Sequence, residues 1–202
     1  MEANLAHGCG VPEEDILRAR IYALLARLLA APITEEDQET IRALEGDGTE
    51  MGAALGSLAT IAAKTSLKTA TDEYDTLFIG LVQGELVPYA SYYLTGFLQE
   101  KPLAELRSDM VRLGIARSDD LVEPEDHIAV VCEMMHGLIT GAFGEAASIE
   151  TQKDFFDSHI RPWACRFFQD LEAAESAVLY MPVGTIGRIF MEVEVKAFEM
   201  TA

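Results

Sequence analysis

The sequence lacks the features that place a chain in a membrane or outside the cell. Its three cysteines, Cys9, Cys132 and Cys165, are an odd number at wide spacing and do not predict a disulfide framework. The longest uncharged, mostly apolar run, residues 51–63, is shorter than the roughly 20 residues that cross a bilayer. Residues 1–15 have neither a positively charged start nor a continuous apolar stretch, so they predict no secretory signal. Together these absences predict a cytoplasmic protein without stable membrane insertion.

Positive charge is also scarce. The chain has 15 Lys and Arg against 34 Asp and Glu, a formal net charge of −19. A surface this negative repels the phosphates of nucleic acids and anionic lipids, and it attracts cationic segments over long range. The charge therefore predicts a basic partner and no nucleic acid, although acidity that only keeps the protein soluble would explain the composition equally well.

Signatures of enzymes are missing as well. The chain has no Walker A sequence, no G-x-G-x-x-G, no H-E-x-x-H and no G-x-S-x-G. Cys132 and His136 have the i, i+4 spacing of metal ligands on a helix, but two ligands are too few for a closed zinc site. A buried Cys and His pair is the simpler interpretation. We therefore expect no catalytic residue, no metal and no cofactor.

Helical periodicity is what the sequence has in abundance. Apolar residues recur at three- and four-residue spacing, and strand-like alternation is never sustained, which predicts an all-α fold of about nine or ten helices. Thr34 and Asp37 predict a capping box, and Gly114 predicts a helix end. We also expect Asp72 to cap a helix that ends at Gly84.

An acidic cluster, E-P-E-D-H at residues 123–127, follows a polar connector at residues 115–123. Pro124 predicts a helix start, with Glu125 and Asp126 in the first turn, where carboxylates favour the helix dipole. That interpretation gives the cluster a structural role only. Three carboxylates and an imidazole concentrated at one point could instead form the polar part of a binding site.

The same cluster resembles the E-P-x-D-H signature of the TorD/DmsD family of molybdoenzyme maturation chaperones. Residues 74–80 are similar to the family's Y-x-x-L-F-x-G segment, and residues 88–93 resemble its P-Y-E-S-x-Y stretch, with Ala90 where the family usually has glutamate. The sequence H-I-R-P-W at 159–163 is like the family's second half. The likeness keeps this order along about residues 12–199, which is more specific than any one short motif.

The resemblance implies a single all-helical domain with two lobes, at about 12–114 and 124–199, joined near the connector. It implies a cytoplasmic chaperone that binds the twin-arginine signal peptide and the apo-form of a molybdenum-cofactor oxidoreductase before export, during anaerobic respiration. Some members of the family form dimers by exchanging lobes, so a monomer and a lobe-exchanged homodimer are both expected states.

The resemblance also implies the residues that bind the signal peptide. A twin-arginine leader carries two adjacent arginines before an apolar stretch, so its receptor needs carboxylates beside an apolar groove. The groove and its rim would comprise Tyr74, Leu77, Phe78, Pro88, Tyr89, Ser91 and Tyr93. Its polar end would comprise Glu123, Pro124, Asp126 and His127. We expect Glu123 or Asp126 to pair with a leader arginine.

Two other functions remain open from the sequence. One is an assembly factor for a redox enzyme that is not exported, similar to the NarJ branch of the family. The other is a weak nucleotide-binding protein or hydrolase, which the absence of a phosphate-binding glycine loop with a lysine disfavours.

Overall fold

The computed structural model describes residues 12–117 and 122–200, so Cys9 and part of the predicted connector, residues 118–121, lie outside the described residues. This part of the chain forms ten α-helices and two π-helical turns, without a named strand, and the all-α prediction is confirmed. In chain order the elements are α1 (Glu13–Ala30), α2 (Glu35–Arg42), α3 (Glu50–Ala62), α4 (Leu67–Tyr74), π1 (Asp75–Ile79), α5 (Ala90–Thr95), α6 (Lys101–Leu113), α7 (Ile128–Thr140), α8 (Ile149–Phe155), π2 (Phe156–Ile160), α9 (Ala164–Glu172) and α10 (Met181–Met200).

The core is built around α7, which is apolar on nearly every face. Ile128, Val131 and Met135 of this helix are fully buried. α1 packs along α7, and α10 packs against both α9 and α3. Buried side chains from Ala19 to Phe198 form one continuous cluster. Helices from before and after the connector therefore share one hydrophobic core.

Several predicted helix boundaries are confirmed and others are wrong. Thr34 and Asp37 form the reciprocal capping box of α2, and Gly114 ends α6 in the left-handed conformation. Asp72 lies inside α4, because the side chain of Ser66 caps this helix earlier by accepting from the N–H of Thr69.

The predicted helix end at Gly84 is also wrong. π1 ends at Gly80, which has φ +62° and ψ 178°. This backbone conformation is accessible almost only to glycine, and a Cβ at this position would lie 2.0 Å from the carbonyl oxygen of Gln83. The chain therefore leaves the helix four residues earlier than the sequence predicts, and residues 80–86 form a loop.

The predicted helix start at Pro124 is wrong by four residues. Residues 124–126 form a turn in which the N–H of His127 donates to the carbonyl of Pro124 at 3.1 Å. His127 is the N-cap of α7, and its Nδ1 accepts from the N–H of Ala129 at 3.2 Å. Asp126 consequently lies before the first helical turn. Its carboxylate contacts a residue that is distant in sequence instead of interacting with the helix dipole.

A buried ion pair fastens α1 to α10. Glu194 is fully buried, and Nε and Nη2 of Arg18 donate to its two carboxylate oxygens at 2.8 and 2.9 Å. The hydroxyl of Tyr22 donates to the same carboxylate at 2.9 Å. Because the pair is bidentate and receives a third hydrogen bond, the desolvation of Glu194 is compensated.

Two other carboxylates hold the turn that precedes α10. Glu73 accepts from the backbone N–H groups of residues 178, 179 and 180 at 2.8 to 3.1 Å. Glu85 accepts from the N–H groups of residues 175 and 176 at 2.6 and 3.2 Å. The loop after π1 is thus attached to the second half of the chain. None of the helices in the described ranges is both long and apolar enough to cross a membrane.

Candidate functional site

The two segments that carry the strongest sequence motifs lie side by side. An antiparallel β-bridge joins Tyr89 to His127, outside any named strand. The N–H of Ile128 donates to the carbonyl of Pro88 at 2.9 Å, and the N–H of Ala90 donates to the carbonyl of Asp126 at 3.0 Å. These bonds bring segments 88–91 and 123–127 together, although more than thirty positions separate them in sequence. We call this pair of segments the signature bridge.

Asp126 lies inside the signature bridge and is only 1% exposed. Its Oδ2 accepts from the N–H of Ser91 at 2.8 Å, whereas its Oδ1 has no hydrogen-bond partner among the described residues. Ser91 is fully buried, and its Oγ accepts from the N–H of Gln99 at 3.2 Å. Asp126 and Ser91 therefore connect the turn before α7 to the turn after α5.

Glu123 lies at the exposed end of the signature bridge. The hydroxyl of Tyr89 donates a hydrogen bond to Oε2 of Glu123, and both side chains are partly exposed. Oε1 has no hydrogen bond to the described part of the chain. Burial, together with the Glu123 carboxylate, raises the pKa of Tyr89 well above its usual range. Tyr89 thus stays protonated and orients a carboxylate that has one oxygen available.

His127 is an uncharged member of the cluster at neutral pH. The side chain is 4% exposed, and its ring packs edge-on against Tyr89 at a centroid distance of 5.0 Å. Burial lowers the pKa of His127 to about 4, against the raising effect of Glu123 and Asp126. The neutral imidazole can therefore cap α7 through Nδ1 and does not compete with a cationic ligand.

Glu125 is already neutralised by side chains of the protein. Nη2 of Arg107 lies 2.7 Å from its Oε2, and Nη1 of Arg117 lies 3.1 Å from its Oε1. Burial alone would raise the pKa of Glu125, but the hydrogen bonds from Arg107 and the backbone, together with the charges of Arg107 and Arg117, hold that pKa below its usual range. Of the three carboxylates in E-P-E-D-H, that of Glu123 is the one that is partly exposed and has an oxygen without a hydrogen bond to the described residues.

The residues of the Y-x-x-L-F-x-G segment connect this site to the core. Tyr74 is 5% exposed and its hydroxyl donates to the carbonyl of Leu29 at 3.1 Å, while Leu77 is fully buried. Phe78 is half-buried and lies 4.9 Å from the ring of Tyr74. Burial and the nearby charge of Glu123 raise the pKa of Tyr74 to about 12. Tyr74 therefore links the core to the ring of Phe78.

The last residue of π1 and the loop after it present an exposed apolar surface. Ile79 is 56% exposed, and Leu81 and Val82 are completely exposed. Asp75 and Glu85 line a depression together with Ile79 and Leu81, and none of the described residues that line it is basic. We call Ile79, Leu81 and Val82 the apolar loop. An apolar surface bordered by negative charge is suited to a cationic and apolar segment.

Besides Tyr74, Leu77 and Ser91, which are buried, two more of the predicted groove residues lie elsewhere or deeper. Pro88 is buried in the signature bridge. Tyr93 packs against Trp163 at 5.6 Å, and its hydroxyl donates to Asp170 at 3.1 Å. Within the described residues, no group of three or more His, Cys, Asp or Glu could hold a metal ion.

Asp126 also lines a small cavity, which the sequence did not predict. Glu105, Ser158 and His159 contribute to its lining, and Nε2 of His159 is 2.7 Å from Oδ2 of Asp109. His159 belongs to the H-I-R-P-W motif, so the sequence drew attention to this region. The motif did not predict the contact between His159 and Asp109. Glu105 carries no sequence signal, because it is one of many glutamates on a helix surface.

Comparisons with known proteins agree on one family. The family model described as nitrate reductase delta subunit matches residues 44–169. The chaperone protein TorD of Photobacterium profundum is 30% identical over 189 residues, which cover 81% of this chain and 85% of that protein. The TorD of Vibrio atlanticus is 24% identical over 200 residues, covering 88% and 92%. A crystal structure described as a redox enzyme maturation protein from Archaeoglobus fulgidus matches with a TM-score of 0.61 at 20% identity, covering 95% of this chain and 99% of that one. This last likeness supports the fold alone.

Proposed function

Because the chain belongs to the nitrate reductase delta subunit family, and with it to the TorD/DmsD maturation chaperones, we propose that it is a cytoplasmic chaperone for a molybdenum-cofactor oxidoreductase. It binds the twin-arginine signal peptide and the apo-form of that enzyme and assists its maturation before export. The function is binding, and no bond is made or broken.

The observation that supports leader binding most directly is the carboxylate of Glu123. It is partly exposed, it is oriented by the hydroxyl of Tyr89, and it has one oxygen without a hydrogen bond to the described part of the chain. A guanidinium can donate two parallel hydrogen bonds to a carboxylate, and such charge-assisted bonds contribute about 1.5–3 kcal/mol. We therefore assign a leader arginine to Glu123.

The apolar part of the leader would lie on Phe78 and the apolar loop. Phe78 packs against Tyr74, and Ile79 follows Phe78 in sequence, so this surface is continuous with the Y-x-x-L-F-x-G segment. The exposed side chains of the apolar loop would lose contact with water on binding, which favours association by roughly 25 cal/mol per Å² of apolar surface. The neighbouring carboxylates of Asp75 and Glu85 would attract the positively charged start of the leader.

The remaining members of the predicted site would position these contacts. Asp126 and Ser91 are buried and bonded to each other, so they fix the geometry of the signature bridge. His127 supports the ring of Tyr89, and Leu77 lies in the core below Phe78. A fixed carboxylate loses little freedom when the arginine binds, which increases affinity.

Titration calorimetry with a synthetic twin-arginine leader tests this proposal. We expect micromolar or tighter binding that weakens at least tenfold when both arginines are replaced by glutamine, because charge-assisted hydrogen bonds are lost. Tyr89→Phe should weaken binding by a smaller factor, since Glu123 keeps its charge and loses only its orientation.

Two outcomes would contradict leader recognition. Equal binding of the native and arginine-free peptides would show an apolar groove without recognition of the arginines. Absence of leader binding, together with capture of a redox enzyme that has no export signal, would favour an assembly factor of the NarJ type. Glu36→Gln is a suitable control for charge, because Glu36 is exposed on α2 outside the proposed site.

A further inference from the structure

An apolar groove lies between α1, α2 and α3, and its volume is about 380 Å³. It shares no lining residue with the signature bridge or the apolar loop. Most of its lining is aliphatic and comes from the buried side chains of Leu28 and Ile41 and from the partly exposed side chains of Ile21, Leu24, Leu44 and Leu55. Small-molecule sites usually enclose about 300–1,000 Å³ and combine an apolar lining with a few polar groups. The groove has the size and the lining of such a site.

Arg20 provides the groove with an available positive charge. This side chain lines the groove from α1 and is exposed. Eight of the ten arginines form ion pairs within the described residues, and Nε of Arg42 donates to the carbonyl of Ala62 at 3.4 Å. Arg20 has neither kind of contact in the described part of the chain. Its guanidinium can therefore bind an anion without giving up a partner.

The other charged residues of the lining compensate each other. Arg27 donates to Oδ2 of Asp37, and the same oxygen accepts from the N–H and the hydroxyl of Thr34 at 2.7 and 2.6 Å. Two arginines against one aspartate leave the lining with one net positive charge, although the chain as a whole carries −19. At physiological ionic strength, exposed charges more than about 8 Å apart are largely screened, so the local charge decides which ligand the groove attracts.

We propose that this groove binds a medium-chain fatty acid, with the carboxylate on the guanidinium of Arg20 and the acyl chain on the aliphatic lining. Ile21 and Leu28 are separated by about 10 Å along α1, at a rise of 1.5 Å per residue. An extended chain of about eight to ten carbons has this length, because a C–C bond is about 1.5 Å long. The inference goes beyond the proposed function and does not depend on it, since no residue of the leader site lines the groove.

The extent of the groove and its surroundings favour a small amphiphile over a protein surface. A stable protein interface buries about 800 Å² on each partner, whereas the groove follows about two turns of α1. Glu36 and Glu39 are exposed on α2 beside it. The centres of protein interfaces are depleted of charged residues, so these glutamates disfavour a second protein more than they disfavour a single acyl chain.

Titration calorimetry of the full chain with decanoate, below the concentration at which it forms micelles, tests the proposal. We expect saturable one-to-one binding. Each methylene added between octanoate and decanoate should tighten binding about fourfold, because it buries apolar surface. Dodecanoate should gain less per methylene, because the groove is then filled. Absent binding, or an affinity that keeps rising by the same factor through tetradecanoate, would overturn the proposal.

The headgroup of the ligand tests the role of Arg20. Decanol has the same chain without a charge and should bind about two- to fivefold more weakly than decanoate, because Arg20 is exposed. Decyltrimethylammonium should bind more weakly still. The net charge of −19 attracts cations, so a preference for decanoate requires a local positive group. Equal or tighter binding of decyltrimethylammonium would therefore contradict the assignment.

Variants locate the site. Arg20→Gln should weaken decanoate about two- to fivefold and should leave decanol unchanged. Arg166→Gln removes another exposed arginine, on α9 outside the lining, and should change neither affinity. Ala23→Leu keeps a good helix former in α1 and fills part of the groove, so it should weaken both ligands about tenfold or more. Unchanged decanoate affinity in Arg20→Gln would contradict the proposal even if Ala23→Leu does not fold.

Competition and sedimentation experiments test other occupants of the groove. We expect decanoate to bind equally well with and without a twin-arginine leader, and to leave the sedimentation coefficient of the protein unchanged. Displacement of decanoate by the leader would assign the groove to the apolar segment of that peptide. Dissociation of a dimer by decanoate would assign it to a second copy of the chain, and either result would overturn the fatty acid site. Leader binding by a protein that does not bind decanoate would also reject this site, while the proposed function stands.

Discussion

The backbone N–H of Ser91 donates to Oδ2 of Asp126 at 2.8 Å, across 35 positions of sequence. Both residues are almost completely buried. The bond unites the P-Y-x-S and E-P-x-D-H motifs in one structural unit, from which Glu123 and Tyr89 extend toward solvent. The most buried acid of the motif therefore organises the site, and Glu123 of the same motif presents a partly exposed carboxylate.

Removal of the Asp126 carboxylate should destabilise the protein. Asp126→Ala leaves the buried N–H of Ser91 without an acceptor, and we expect the free energy of unfolding to fall by about 1–3 kcal/mol. Asp126→Asn retains an acceptor oxygen and should lose less. Urea unfolding followed by circular dichroism measures both variants, and an equal loss in the two would contradict the role of this hydrogen bond.

Stability should also depend on the protonation of His127. Burial lowers the pKa of His127 to about 4 in the folded protein, below the ordinary value of 6.5. The folded state thus binds this proton less readily than the unfolded state, so the contribution is fully present above pH 6.5 and is lost as the pH falls toward 4. The total loss should be about 2–4 kcal/mol.

The matched variant for this test is His127→Asn. Asparagine is a good N-cap residue, so it can replace the acceptor that Nδ1 provides to the N–H of Ala129 while removing the titrating group. Between pH 6.5 and 5, the stability of the native protein should decline more steeply than that of the variant. Parallel curves would show that His127 is not buried as a neutral group.

Two glycines with positive φ should respond differently to alanine. A Cβ on Gly80 would lie 2.0 Å from the carbonyl oxygen of Gln83, whereas a Cβ on Gly96 would meet no atom within 4 Å. Gly96→Ala should therefore cost about 1–2 kcal/mol from backbone strain alone. Gly80→Ala should cost more and should displace the apolar loop, which weakens leader binding. Calorimetric melting and leader titration together check this order, and a reversed order would contradict the loop conformation.

A buried ion pair and an exposed ion pair should differ in how much they contribute to the stability of the protein. Glu194→Gln disrupts the bidentate contact with Arg18 inside the protein, and we expect a loss of about 2–4 kcal/mol, since Asp15 still partners Arg18. Glu199→Gln removes the contact with Arg161, in which the glutamate side chain is 56% exposed, and should cost less than about 1 kcal/mol. Similar losses in urea unfolding would show that Glu194 is accessible to water.

Local sequence signals predicted much of the fold because they act over a few residues. The capping box of Thr34 and Asp37 and the left-handed end at Gly114 are of this kind. Where two residues could each cap or end the same helix, the sequence does not show which of them does. Ser66 caps α4 before Asp72 is reached, and Gly80 ends π1 before Gly84.

The site was only partly predictable, because its geometry depends on long-range contacts. Spacing identified Glu123 and Asp126 as neighbours in one motif, but it could not show that Asp126 turns inward to Ser91 while Glu123 stays exposed. The pairing of Glu125 with Arg107 of α6 and with Arg117, which follows that helix, likewise depends on how these segments approach the motif. The helix predicted to start at Pro124 begins later in the chain, because these contacts compensate for the loss of one helical turn.

A double-mutant cycle measured by titration calorimetry tests the central claim most directly. The protein is either native or Glu123→Gln, and the synthetic leader carries either its two arginines or two citrullines. If a leader arginine binds Glu123, the two changes should not be additive, and the coupling free energy should be about 1–3 kcal/mol. Additive changes, with a coupling near zero, would contradict the assignment of the leader arginine to Glu123.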